Sequence, residues 1–138
     1  MKIAEIMTVD VHLTDPSESL QSAADNMLSK DVGCLPVGSD GKLVGMLTDR
    51  DIVVRGIARG LGPDAKVQDA MSSDVCYCYE DEDVSHVASN MADLQVRRLP
   101  VVNRNKDLVG MVSLADFAHS GEHRSAGKLT RGVAVPHH

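Results

Sequence analysis

Apolar residues recur at helical spacing in two stretches of the chain. Leu20, Ala23, Ala24, Met27 and Leu28 fall at i, i+3, i+4, i+7 and i+8, and Val84, Val87, Ala88, Met91 and Ala92 repeat that spacing. Each pattern predicts an amphipathic helix. Ahead of each lies a short extended segment, VDVHLT or DVCYCY, and then a turn rich in Asp, Pro, Ser and Glu. Such a turn marks a helix start; in the first stretch Asp15 is placed to cap, with Pro16 at the first helical position. Two short apolar strands follow, CLPVG then KLVGMLT, and in the later stretch RLPVV then DLVGMVS, each pair joined by a polar turn. A second helix begins after the hydroxyl residue that ends each pair, as DRDIVVRGIARG or LADFAHS.

The two stretches are copies of one unit. Laid on itself with Met7 over Met71, the chain also matches Asp10 with Asp74, Val11 with Val75, Glu18 with Glu82, and Asn26 and Met27 with Asn90 and Met91. LPV at Leu35 to Val37 falls on LPV at Leu99 to Val101. One inserted residue before Leu108 then brings LVGM at Leu43 onto LVGM at Leu108, and Asp51 onto Asp116. The unit is strand, helix, strand, strand, helix, an α/β (α+β) arrangement present twice. The expected divisions are residues 1–60 for the first repeat, 61–70 for a linker or helical lead-in, 71–119 for the second repeat and 120–138 for a flexible tail. His137 and His138 resemble a tag remnant and carry no functional argument. A unit this small is marginal alone, because small domains bury a lower fraction of their surface, so the two should pack together.

Composition narrows the function. Only 2% of the 138 residues are aromatic, with one Phe, two Tyr and no Trp, so no stacking platform for single-stranded nucleic acid is available. A net charge of −6 supplies no long-range field toward nucleic acid or an anionic membrane. The amino end lacks the apolar run of a secretory signal, and no later stretch approaches a membrane span, so a cytoplasmic protein is expected. Cys34, Cys76 and Cys78 are an odd count without a disulfide framework, in keeping with a reducing compartment.

The repeated chemistry is a hydroxyl and a carboxylate three residues apart, Thr48 with Asp51 and Ser113 with Asp116. One reading is a capping box, in which the hydroxyl accepts from a first-turn N–H and the acidic side chain reaches back. The other is a nucleotide site. There a helix start suits phosphate, the carboxylate accepts hydrogen bonds from vicinal ribose hydroxyls, and an apolar strand edge with proline offers a dry wall for a base.

The doubled ending Gly-x-x-Thr/Ser-x-x-Asp, at Gly45 to Asp51 and Gly110 to Asp116, together with LP in each copy, resembles the cystathionine-β-synthase (CBS) domain pair, or Bateman module. The resemblance runs from about residue 5 to residue 119, and GMLTDRDIVVRGIARGL is similar to small stand-alone bacterial CBS-pair proteins such as the hypoxic response proteins. It implies two repeats packed about a pseudo-twofold axis and a regulatory module rather than an enzyme. It also implies two clefts for an adenosine ligand: AMP, ADP, ATP, NAD(H) or S-adenosylmethionine. Carried over, site A joins Thr8, Val9, Asp10, Val11, Cys34, Leu35 and Pro36 to Ser113 and Asp116. Site B joins Ser72, Ser73, Asp74, Val75, Arg97, Arg98, Leu99 and Pro100 to Thr48, Arg50 and Asp51. Arg50 stands where its counterpart is Ala115, Arg98 where it is Cys34 and Arg97 where it is Gly33, so site B is expected to favour phosphorylated ligands. A homodimer and a regulated protein partner are the implied routes for output, with no nucleic acid and no membrane.

Two other classes compete. In a structural or adaptor protein the clefts are vestigial and the hydroxyl–Asp pairs only cap helices. In a redox or metal sensor Cys34, Cys76 and Cys78 act, with His12 or His119 joining Cys76 and Cys78 if the fold gathers them. No nucleophile, base and orienting acid stand in a recognisable arrangement.

Overall fold

The computed structural model describes residues 1–120, and the expected tail over 121–138, with His137 and His138, lies outside the described residues. The chain divides into two compact units that do not follow the repeat boundaries. One comprises His12–Val75; the other joins Met1–Val11 to the chain from Cys76 onward.

In the first unit, α1 (Leu20–Lys30) starts where the Ser19 hydroxyl accepts from the Ser22 N–H at 3.0 Å. Asp15 is not the cap. Its carboxylate accepts from the Ser17 N–H at 2.9 Å and from the Ser17 hydroxyl at 2.6 Å, an Asx turn that occupies Pro16 and delays the helix. Two amide donors of the first turn are met from the expected linker, Leu20 N–H by Ala65 O at 2.8 Å and Gln21 N–H by Pro63 O at 3.1 Å. The buried stripe is Leu20, Ala23 and Met27, whereas Ala24 and Leu28, which the spacing also assigns to it, face outward.

β1 (Cys34–Ser39) and β2 (Lys42–Thr48) form an antiparallel hairpin, as expected, with Cys34 opposite Thr48 and Leu35 opposite Leu47. The chain turns at Asp40 and Gly41, both at positive φ. A helical segment follows in three geometries: α2 (Asp49–Asp51), a π turn (Ile52–Gly56) and a 3-10 turn (Ile57–Arg59). The expected linker then closes the unit. Its short helix α3 (Val67–Ala70) buries Val67 and Ala70 against Leu20, Leu35, Val37 and Leu47. The Val67 N–H donates to Glu18 O at 2.8 Å.

The second unit repeats this plan. β3 (Cys78–Tyr79) pairs parallel with β4 (Arg98–Val102), which pairs antiparallel with β5 (Leu108–Ser113). α4 (Val84–Leu94), capped by the Asp83 carboxylate on the Ser85 N–H, buries Val84, Val87, Ala88 and Met91. α5 (Leu114–His119) buries Phe117. The extended segment of the first repeat makes only a single bridge, Thr14 with Val37, where the second makes a strand. The reason is covalent: the ladder continues through Glu80 N–H to Val102 O at 3.0 Å, and Pro16 at the matching position has no N–H to donate.

A 3-10 turn at Ile3–Glu5 does for this unit what α3 does for the other. Ile3 is fully buried among Val84, Val87, Leu99 and Phe117, and its N–H donates to Glu82 O at 3.0 Å. Each repeat is therefore completed by the segment that leads into the other one.

Candidate functional site

The lead-in segments reach the doubled motif because its first residue is glycine. A β-carbon on Gly45 would lie 2.7 Å from Met71 Sδ and 2.9 Å from Ser72 O. On Gly110 it would lie 2.7 Å from Met7 Sδ and 2.8 Å from Thr8 O. With no side chain, the backbones pair directly: Met46 and Ser72 exchange N–H···O bonds of 2.9 Å, and Thr8 and Met111 exchange bonds of 2.8 and 2.9 Å. This crossing sets Ser72 beside the β2–α2 junction of one unit and Thr8 beside the β5–α5 junction of the other.

At the first junction the Thr48 hydroxyl accepts from the Asp51 N–H at 3.1 Å, and Asp51 Oδ2 accepts from the Thr48 N–H at 2.9 Å. At the second, Asp116 Oδ2 accepts from both the Ser113 N–H at 2.9 Å and the Ser113 hydroxyl at 3.2 Å. Both carboxylates therefore cap, and both do so through one oxygen. The other oxygen is turned elsewhere: Asp51 Oδ1 lies 3.9 Å from Arg55 Nε, and Asp116 Oδ1 lies 3.5 Å from the Thr8 hydroxyl. Capping fixes each carboxylate through Oδ2 and leaves Oδ1 outside the cap as a further acceptor, so the two readings of the motif are compatible.

The remaining candidates fall as follows. Thr8, Ser113 and Asp116 of site A come together in one unit, with Val9 and Asp10 exposed and Val11 half-buried just beyond Thr8. Cys34, Leu35 and Pro36 belong to the other unit, where Leu35 and Pro36 are buried in β1. Thr48, Asp51 and Ser72 of site B likewise share a unit, followed by exposed Ser73 and Asp74 and half-buried Val75. Arg97, Arg98, Leu99 and Pro100 belong to the other, with Leu99 and Pro100 buried. Arg97 and Arg98 line a shallow cavity of about 330 Å³ with Ser113, Leu114, Ala115 and Ala118. Arg50 projects with Asp49, Val53 and Val54 around another of about 350 Å³. The cation that meets Asp51 is Arg55, which the motif reading passes over; its signal was the i, i+4 spacing of Asp51 and Arg55 on one helical segment.

Cys34 lies in one unit and Cys76 and Cys78 in the other. Burial and the charge of Glu82 push the Cys78 thiol up to about 12, while Cys76 is exposed. Among the described residues no group of three or more His, Cys, Asp or Glu is placed to hold a metal ion, and no helix is long and apolar enough to cross a membrane.

Two units of one plan, each ending a glycine-crossed hairpin in a hydroxyl–Asp cap, define a tandem-repeat domain pair. The CBS domain family model matches residues 3–56 and again 67–122, and the chain belongs to that family as a pair. It is 42% identical over 123 residues to Hypoxic response protein 1 of Mycobacterium tuberculosis, covering 86% of this chain and 85% of that protein. It is 35% identical over 133 residues to the CBS domain-containing protein YhcV of Bacillus subtilis, covering 96% and 94%. The structure of Hypoxic Response Protein I with two coordinated zinc ions superposes with a TM-score of 0.78 at 37% identity, over 86% of this chain and 98% of that one. The CBS domain pair of protein MJ0100, in complex with 5′-methylthioadenosine and S-adenosyl-L-methionine, superposes at 0.75 and 26% identity, over 90% and 98%.

Proposed function

We propose that this protein is a non-catalytic regulatory module that binds an adenosine ligand through Asp51 and Asp116. The carrying observation is that each carboxylate caps its helix through Oδ2 and leaves Oδ1 outside the cap. A carboxylate held this way accepts from the hydroxyls of a ribose without first losing rotamer freedom. The adenosine compounds bound by the MJ0100 domain pair support the ligand class, with AMP, ADP, ATP, NAD(H) and S-adenosylmethionine as the compounds to test. Site A and site B, composed as the resemblance implies, remain the proposed clefts, and a reducing, cytoplasmic setting accords with three cysteines outside any disulfide.

Output then runs through a homodimer or a protein partner, because a ligand shifts a conformation only by its differential affinity for two states. Apolar side chains left in solvent support a self-contact: Leu28 is 82% exposed, and Val53, Val54 and Ile57 are exposed along one helical segment.

A thermal-shift panel of these ligands on wild type, Asp51→Asn and Asp116→Asn tests the reading. A ligand at 100 times its dissociation constant raises stability by about 2.7 kcal/mol. The expected result is a rise for at least one adenosine compound that the Asn variants diminish. No rise for any of them in folded wild type would leave the paired motifs as helix caps alone.

A further inference from the structure

We infer that Arg55 is the phosphate-selecting residue of the Asp51 cluster, which makes that cluster prefer adenosine phosphates to adenosine itself; this rests on the adenosine-ligand reading above. A carboxylate that holds a sugar repels the phosphate attached to it, so selection for the phosphate needs a cation close to that carboxylate. Arg50 lies instead beside Val53 and Val54. Arg55 is the residue in position, with Nε 3.9 Å from Asp51 Oδ1, the oxygen that the cap does not use.

The guanidinium is also anchored. Its Nη1 donates to Met71 O at 3.2 Å, on the same segment that crosses Gly45 and carries Ser72 past the junction. Arg55 thus ties together the two elements that bring the cluster into being. A guanidinium has five N–H donors in a planar fork, so two contacts leave donors for phosphate oxygens, and a side chain 46% exposed gives a ligand access to them. The repeat supplies an internal contrast. Opposite Arg55 in the second copy stands Ser120, whose hydroxyl donates to Phe117 O at 2.7 Å, and Asp116 Oδ1 faces the uncharged Thr8 hydroxyl.

The test is calorimetric titration of the full chain with adenosine, AMP and ATP, in wild type, Arg55→Met and Arg55→Lys. Loss of a charge-assisted pair to phosphate should weaken AMP and ATP by about tenfold or more in Arg55→Met. Adenosine should weaken distinctly less than AMP and ATP, and Arg55→Lys, which keeps the charge without the fork, should fall between. If adenosine and AMP weaken equally, or neither changes, the selecting role is overturned while the adenosine reading stands. If wild type binds none of the three, both are overturned.

Discussion

Replacing Gly110 with alanine reads out the crossing on which the candidate site depends. The added β-carbon would lie 2.8 Å from Thr8 O and 2.7 Å from Met7 Sδ. A methionine sulfur at the end of a flexible side chain can move aside. The Thr8 carbonyl cannot do so freely, because it accepts the Met111 N–H at 2.9 Å in the same crossing. Overpacking of this kind costs about 1–3 kcal/mol, toward the upper end where backbone must yield. Against that, replacing glycine removes unfolded-state freedom and returns about 0.4–1 kcal/mol, since Gly110 is not at positive φ. The balance is a loss of about 2 kcal/mol, or a fall of about 8 °C in Tm for a chain of this size. Gly62→Ala is the control: nothing lies within 4 Å of a β-carbon there, and its φ is ordinary, so only the stabilising contribution remains. Thermal unfolding followed by circular dichroism would compare the two. A Gly110→Ala melt at or above that of Gly62→Ala would refute the close approach of residues 7–8 to β5, and with it the placement of Thr8 against Asp116.

The caps and the buried thiol lead to further measurements. Thr48→Ala removes an acceptor for the Asp51 N–H and should cost about 1 kcal/mol in denaturant unfolding. Ser113→Ala should cost less, because the Ser113 hydroxyl donates to a carboxylate already bound by the Ser113 N–H; equal costs would contradict that hydrogen-bond direction. Cys78 has its pKa raised from 9.0 to about 12 in the folded chain, so folding favours the protonated thiol. Its contribution to stability is therefore complete below pH 9.0 and is lost as pH rises toward about 12. Cys78→Ser should reduce the loss of stability over that window, and in native protein at pH 8 a thiol reagent should label exposed Cys76 while sparing Cys78. Equal labelling of the two would show that Cys78 is not buried as described.

Local pattern carried the helices, the hairpins and the repeat itself. Period and turn chemistry act within a few residues, so Leu20 to Met27 and Val84 to Met91 declare themselves as buried faces without any knowledge of what covers them. The same pattern failed at Asp15 and at Leu28. Asp15 has the composition of a cap, but Ser17 is near enough to take its carboxylate, and the first-turn amides of α1 are met by Pro63 and Ala65 from a distant segment. Leu28 shares the apolar spacing, yet the stripe that the unit covers is only as wide as Leu20, Ala23 and Met27. Of the site, the hydroxyl–Asp pairs were legible as a motif, and their capping geometry follows from spacing. What the second carboxylate oxygen meets was not legible, because that depends on where Thr8 and Arg55 arrive.

The sequence by itself determined that the chain is one strand–helix–strand–strand–helix unit written twice, and that each copy ends its hairpin with glycine, a hydroxyl residue and an aspartate. Those properties are local, or are visible by laying the chain on itself. Only the tertiary structure decided which segment completes which unit. Ile3 is buried under the second repeat's helix and Val67 under the first repeat's, so each core is closed by residues that precede the other copy. Nothing in the residues on either side of Ile3 or Val67 specifies this choice, because each turn offers the same small apolar face. What selects it is the burial of that face together with the pairing of Thr8 and Ser72 across glycines that lie far away in the chain.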